Sequence, residues 1–297
     1  MLFERQRLLL ALLDTMGEPL KSTDFQKLLF LYTREWEQEP SYDFVPYQFG
    51  GFSFTSYADK RKLITTGLLV DDANQWELTA EGRKAVAGER ALRERLGRFR
   101  QRHGGQRGDA LIREVYLRHP YYATRSKIAP RVLKTAEERA MVEAARPVKK
   151  EPGVVTIGYE GKTLERYLNQ LLQDSVTLLC DVRRNPLSRK YGFSKSTLKN
   201  ACENVGIRYE HLPQLGIDSE DRRNLDTQAD YDALFEDYER KSLPKQTEAL
   251  ATIRQWVAEG ERVALTCYEA LPCQCHRHCV AEALEGTGKN RLQVRHL

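Results

Sequence analysis

Cys267, Glu269, Cys273, Cys275, His276 and Arg277 fall within eleven positions near the end of a 297-residue chain, and Asp181, Arg183 and Arg184 form a second tight group upstream. Carboxylate, imidazole and guanidinium groups so close together suit proton transfer on an anionic substrate. Asp181 and Glu269 are candidate general acid and base, with His276 a further acid. Arg183, Arg184 and Arg277 offer guanidinium forks that match phosphate or carboxylate oxygens. Cys267 adds a thiol that Arg277 and a helix terminus could activate as a nucleophile. Asp181 also has a plainer role open to it, a structural ion pair with Arg183 or Arg184.

A regular alternation of elements must position these groups. Apolar strands are expected at 154–159, 176–182, 207–212 and 263–268, and helices near 164–173, 194–205, 231–240 and 246–258. That alternation predicts an α/β fold, a mostly parallel sheet with helices on both faces. Ligands of such sheets sit beyond the carboxyl ends of the strands, where the loops diverge. The residues expected there are Tyr159 and Glu160 after the first strand, Asp181 to Arg184 after the second, and Cys267 to Glu269 after the last. Tyr209 and His211 end the third strand and share one of its faces by period-two alternation. Pro272 to Arg277 lead into a helix running toward Val280 and Leu284. Its free N–H groups, with Arg277 beside them, would attract phosphate or carboxylate. Cys275 joins the expected pocket from this segment.

Spacing excludes several chemistries. Gly161-Lys162-Thr163 follows a strand, but Thr156 stands where a phosphate-binding loop needs its first glycine. Cys273 stands where a cysteine phosphatase needs arginine, and Pro272-Cys273-Gln274-Cys275 is one residue short of a zinc-deaminase signature. The six cysteines, at 180, 202, 267, 273, 275 and 279, are too crowded at the end for a disulfide framework. Cys267, Cys273, Cys275, His276 and Cys279 are donors that suit zinc, yet paired Cys-x-x-Cys knuckles are missing. No resident metal or cofactor is therefore expected, zinc being the ion these donors would take.

The first half reads differently. Net charge is about −4 over residues 1–80, +11 over 81–150 and −2 over 151–297. A helix is expected from Phe3 to Met16, a second from a Thr23–Gln26 capping box, and a third from Ser53 to Gly67 with Lys60, Arg61 and Lys62 on its exposed side. Short strands at 68–70 and 76–78 would follow, completing a winged-helix-like domain over 1–80. In that plan the third helix enters a DNA groove and Lys60, Arg61 and Lys62 meet phosphates, DNA being favoured over RNA. The alternative is a solvated basic face on a domain that binds protein. Residues 81–150 read as a basic helical connector, and 151–297 as the α/β domain. No run approaches the roughly 18 apolar residues of a membrane span, and the start of the chain lacks a signal-peptide pattern, so a cytoplasmic protein is expected.

Several motifs of the second half occur together in one family. They are Thr156-Ile157-Gly158-Tyr159; Asp181-Val182-Arg183 with Asn185-Pro186 and Ser188; Tyr191-Gly192-Phe193-Ser194; Tyr209 to Leu212 with Leu215-Gly216; and Cys267 with Glu269 followed by Cys275-His276-Arg277. In this combination the segment from Thr156 to about Leu284 resembles the domain-of-unknown-function 488 family. The resemblance implies an α/β fold, supplies no reaction, and adds Ser188 to the expected pocket. Cys273 and Cys279 depart from the usual pattern. Through Lys27-Leu28-Leu29-Phe30-Leu31 and Phe44-Val45-Pro46-Tyr47, residues 1–80 resemble winged-helix-like domains of some bacterial regulators and antitoxin-type proteins.

The sequence thus points to an enzyme that processes nucleic acid or a nucleotide, a hydrolase of an N-glycosidic or phosphodiester bond with an N-terminal nucleic-acid-binding domain. The alternative is a non-enzymatic DNA-binding regulator whose C-terminal domain senses an anionic small molecule.

Overall fold

Leu164, Tyr167, Leu168, Leu171 and Leu172 recur at helical spacing between two apolar runs, and all five are buried. This is the local grammar of a strand–helix–strand unit, and the second half of the chain repeats it. In the computed structural model, which describes residues 2–218, 220–221, 225–285 and 292–297, the chain divides into two units, Met1–Arg146 and Pro147–Leu297.

The first unit runs α1 (Glu4–Met16), β1 (Leu20–Lys21), α2 (Ser22–Glu35), β2 (Val45–Tyr47), β3 (Gly50–Phe52), α3 (Phe54–Thr65), β4 (Gln75–Trp76), α4 (Ala80–Val86), α5 (Arg90–His103), α6 (Gly108–Arg118), α7 (Ala129–Val132) and α8 (Ala136–Ala144). Its core joins Leu9, Leu12, Phe25, Leu29, Phe30 and Trp76 to Leu96, Phe99, Leu111, Val115 and Val142. The segment 81–150, expected as a connector, therefore buries apolar side chains as far as Val142 in the same core as residues 1–80.

Local details also depart from expectation. The second helix starts at Ser22 without a side-chain cap. Gln26 instead reaches the next helix, donating to Ser56 Oγ at 2.7 Å and accepting from the Ser53 amide at 3.0 Å. The expected wing hairpin shrinks to one antiparallel bridge, Leu69 to Leu78, because Trp76 pairs with Leu20. A hairpin forms instead between β2 and β3. Lys60 is only 4% exposed, and its ammonium donates to the carbonyls of Asp72 and Gln75 at 2.7 and 2.6 Å. It holds the 71–75 turn and is not available to a phosphate, whereas Arg61 and Lys62 are exposed.

The second unit runs β5 (Gly153–Gly158), α9 (Leu164–Gln173), β6 (Leu178–Asp181), α10 (Lys195–Asn204), β7 (Arg208–His211), α11 (Gln228–Lys241), α12 (Thr247–Ala258), β8 (Arg262–Cys267), α13 (Arg277–Glu285) and β9 (Val294–His296). The sheet order is β7-β6-β8-β5-β9, and every pairing is parallel. The last strand was not expected from the sequence. Val154, Leu178, Cys180, Val263 and Leu265 on one face pack with Phe235, Ile253 and Val280 from α11, α12 and α13. On the other face Thr266 accepts a hydrogen bond of 2.7 Å from Tyr167 of α9. Right-handed crossovers put α9 and α10 on one face and α11 to α13 on the other. The chain therefore leaves the adjacent strands β6 and β8 toward opposite faces, and a crevice opens between their carboxyl ends. Among the described residues no helix is long and apolar enough to cross a membrane.

Candidate active site at the carboxyl edge of the sheet

A cleft of about 330 Å³ lies where that topology puts it, lined by Tyr159, Arg183, Asn185, Leu187, Ser188, Arg189, Ile217, Cys267, Tyr268 and Glu269. It is assembled by close backbone approach. A Cβ on Gly158, the last residue of β5, would stand 1.8 Å from the Glu269 carbonyl oxygen. Only glycine lets the loop after β8 pack this tightly against β5. Glu160 secures the same loop by accepting from the Ala270 amide at 2.9 Å.

Asp181 is fully buried and saturated. Arg183 Nε donates to its Oδ1 at 2.8 Å and Arg183 Nη2 to its Oδ2 at 2.5 Å. The Arg183 amide adds a bond of 3.1 Å and the Tyr209 hydroxyl one of 2.6 Å. A carboxylate holding four donors has no lone pair suited to a water molecule, so its geometry is that of a structural ion pair. Burial works against the charge on Arg183, but the hydrogen bonds and charge of Asp181, aided by Tyr159, outweigh it and raise the guanidinium pKa. Burial, then the Asp181 charge, pushes the Tyr209 phenol up as well. Arg183 also donates to the Tyr159 hydroxyl at 2.9 Å and the Phe193 carbonyl at 2.8 Å. Tyr159 stacks on Phe193 with centroids 4.3 Å apart. The result is a rigid wall.

Arg277 is likewise committed to the protein. Fully buried, it donates to the backbone carbonyls of Glu269 and Ala270, the latter at 2.8 Å, and to Thr156 Oγ1 at 3.3 Å. It clamps the loop that carries Glu269. Arg184 points elsewhere, pairing with Asp218 at 2.9 Å. His211 does not line the cleft; it bonds the Arg183 carbonyl at 2.9 Å and Lys195 at 3.0 Å. Ser188 lines the cleft while its hydroxyl accepts from the Lys190 amide at 3.2 Å.

Two cations near the cleft did not emerge as site residues from the sequence. Arg189 lines it, and Lys190 donates to the Tyr159 carbonyl at 3.1 Å. Their position after Ser188 was the available signal. Burial lowers the pKa of Lys162, and the positive charges of Arg277 and Lys190 lower it further. An anion placed among these groups would relieve that repulsion.

The acid that lines the cleft is Glu269. It is half-buried, and its Oε2 accepts from the Cys267 thiol at 3.4 Å. Behind it His276 is fully buried, with Nε2 on the Val182 carbonyl at 3.0 Å and Nδ1 3.8 Å from Cys267 Sγ. The cysteine cluster splits in space. Cys275 joins Cys267 and His276, Cys279 groups with Glu239 and His278, and Cys273 is exposed.

No curated protein and no solved structure matches the chain. Residues 163–284, which hold β6 to β8, most of α13 and the cleft residues other than Tyr159, match the family model of a domain of unknown function, DUF488.

Proposed function

We propose that the C-terminal unit is a hydrolase that acts on a nucleotide or nucleic-acid substrate and breaks an N-glycosidic or phosphodiester bond. The observation that carries this reading is the cleft itself, where an acid, Glu269, shares a cavity with Arg183 and Arg189 at the divergence of β6 and β8. Arg189 is placed to meet phosphate, and the exposed ring of Tyr268 offers a base a stacking surface. Glu269 takes the proton of the attacking water and returns it to the leaving atom. Asp181 positions Arg183 and Tyr209.

Incubating the intact chain with nucleotides and with modified and unmodified DNA and RNA, and reading products by mass spectrometry, tests this. Glu269→Gln should lower kcat roughly 10²- to 10⁴-fold, the usual range for a general acid–base group, with substrate binding retained. Arg189→Ala should raise KM with a smaller change in kcat. A Glu269→Gln variant as fast as wild type overturns the assignment. Nucleotide binding without any turnover favours a ligand-sensing regulator instead.

For the N-terminal unit we propose phosphate contacts from Arg61, Lys62 and α5. That helix buries Leu96, Phe99 and His103 and leaves Arg90, Arg93, Arg95, Arg98, Arg100 and Arg102 exposed. If Arg61 and Lys62 each neutralise a phosphate, replacing both with alanine should reduce the slope of log affinity against log salt by about two. An unchanged slope in fluorescence-anisotropy titrations removes both residues from the interface.

A further inference from the structure

We infer that Cys267, Cys275 and His276 form a binding site for a single zinc-class divalent cation at the floor of the cleft. One donor atom from each lies within 4.8 Å of the others, and all three residues are buried. Metal–sulfur and metal–nitrogen bonds of roughly 2.3 and 2.1 Å at tetrahedral angles place sulfur and nitrogen about 3.6 Å apart. Cys267 Sγ and His276 Nδ1 are already 3.8 Å apart.

The imidazole is oriented as a ligand. Its Nε2 faces the Val182 carbonyl at 3.0 Å, an acceptor, so Nε2 carries the proton and the Nδ1 lone pair faces the sulfurs. A backbone carbonyl on the far nitrogen is the usual second support of a metal-bound histidine. The donors come from separate pieces of chain, the end of β8 and the segment just before α13, and Arg277 ties those pieces together. Two thiolates, each having released its proton to solvent, balance the charge of one divalent ion, so the buried site is neutral when filled. Soft sulfur with imidazole selects zinc over magnesium or calcium.

Three protein ligands leave a fourth position for water or substrate, the pattern of catalytic rather than structural zinc. Cys267 and Glu269 form the side that borders the cleft. This last step rests on the hydrolase reading. An ion held by Cys267, Cys275 and His276 would make water more acidic at the cleft, and Glu269 would take a proton from the attacking water and pass it to the leaving atom.

The test is a titration of the intact chain, freed of metal by a chelator, with Co²⁺ followed by Zn²⁺. One equivalent of Co²⁺ should produce a thiolate-to-cobalt absorption band that Zn²⁺ abolishes. Cys275→Ser and His276→Ala should weaken binding at least tenfold, while Cys273→Ser and Cys279→Ser should leave it unchanged. Competition in the wild-type chain supplies a check that needs no variant: Zn²⁺ should displace the bound Co²⁺ one for one. Absence of the band, or a band that Zn²⁺ leaves in place, overturns the site. Metal uptake without nucleotide turnover supports the site and removes the hydrolase reading. Turnover that survives complete chelation, by a chain that takes up no metal, does the reverse.

Discussion

Asp181→Asn is expected to lower the stability of the C-terminal unit by about 3–5 kcal/mol, the usual cost of removing one partner of a buried ion pair. The substitution keeps the side-chain volume and removes the charge. Arg183 is 4% exposed, and among the described residues its acceptors apart from Asp181 are the Tyr159 hydroxyl and the Phe193 carbonyl. Its charge would be buried without a counterion, and the Tyr209 hydroxyl would lose the carboxylate that accepts from it at 2.6 Å. Urea unfolding followed by tryptophan fluorescence reports the loss, since Trp256 lies in this unit. A companion Arg183→Met variant separates pairing from packing. In a double-mutant cycle the pair should be strongly coupled, with the double variant more stable than the sum of the single losses allows. A loss below about 1 kcal/mol in Asp181→Asn would show that the carboxylate is not holding the arginine, and would reopen a role for it in proton transfer.

The second large effect belongs to the N-terminal unit. Lys27 is fully buried beside an apolar cavity of about 580 Å³ that Tyr47, Phe52 and Tyr57 help to line. Its ammonium has the Gly51 carbonyl at 3.0 Å. Burial lowers its pKa to about 7, against a smaller upward pull from Asp24, whereas the unfolded chain has a lysine pKa near 10.4. Between these values the unfolded state holds a proton that the folded state lacks, so this group makes stability rise with pH. Below pH 7 both states are protonated and the folded state carries the full cost of a buried charge, of order 5 kcal/mol from the shift. Above about 10.4 the cost is gone. The stability of Lys27→Met relative to wild type should therefore be greatest at and below neutrality and shrink steadily toward pH 10. Denaturation curves of both proteins from pH 6 to 10 measure it. A difference that stays flat with pH would mean that Lys27 keeps its proton throughout.

Much of the C-terminal unit was legible because each element announces itself locally. The leucine spacing of α9 gives its exact span, and the four expected strands appear within two residues of their bounds at either end. β9 was missed because a three-residue strand has no period to read, and its place beside β5 is a long-range fact. The β2–β3 hairpin was missed for a related reason. Pro46 and the Gly50–Gly51 pair look like loop chemistry, yet Pro46 sits on a two-stranded ribbon where a missing donor is tolerated.

The site was legible as a place and less so as a set of roles. Strand ends identified the carboxyl edge, and Tyr159, Arg183, Ser188, Cys267 and Glu269 do line one cleft. Which acid meets the arginine depends on side-chain direction, and composition is silent on that. Asp181 faces Arg183 and Tyr209, while Glu269 faces the cavity. Lys60 shows the same limit. Lys60-Arg61-Lys62 reads as a solvated run, but the Lys60 ammonium lies 4.9 Å from the Trp76 ring centre and ends on two carbonyls.

Hydrogen–deuterium exchange of the intact chain, with and without a panel of nucleoside mono- and diphosphates, probes the cleft most directly. Binding there should slow exchange in residues 183–189 and 267–270 together, since both segments contribute to one wall-to-wall cavity, and Arg189→Ala should weaken that protection. Protection confined to other segments, or none with any nucleotide at saturating concentration, would contradict a nucleotide site at the carboxyl edge of this sheet.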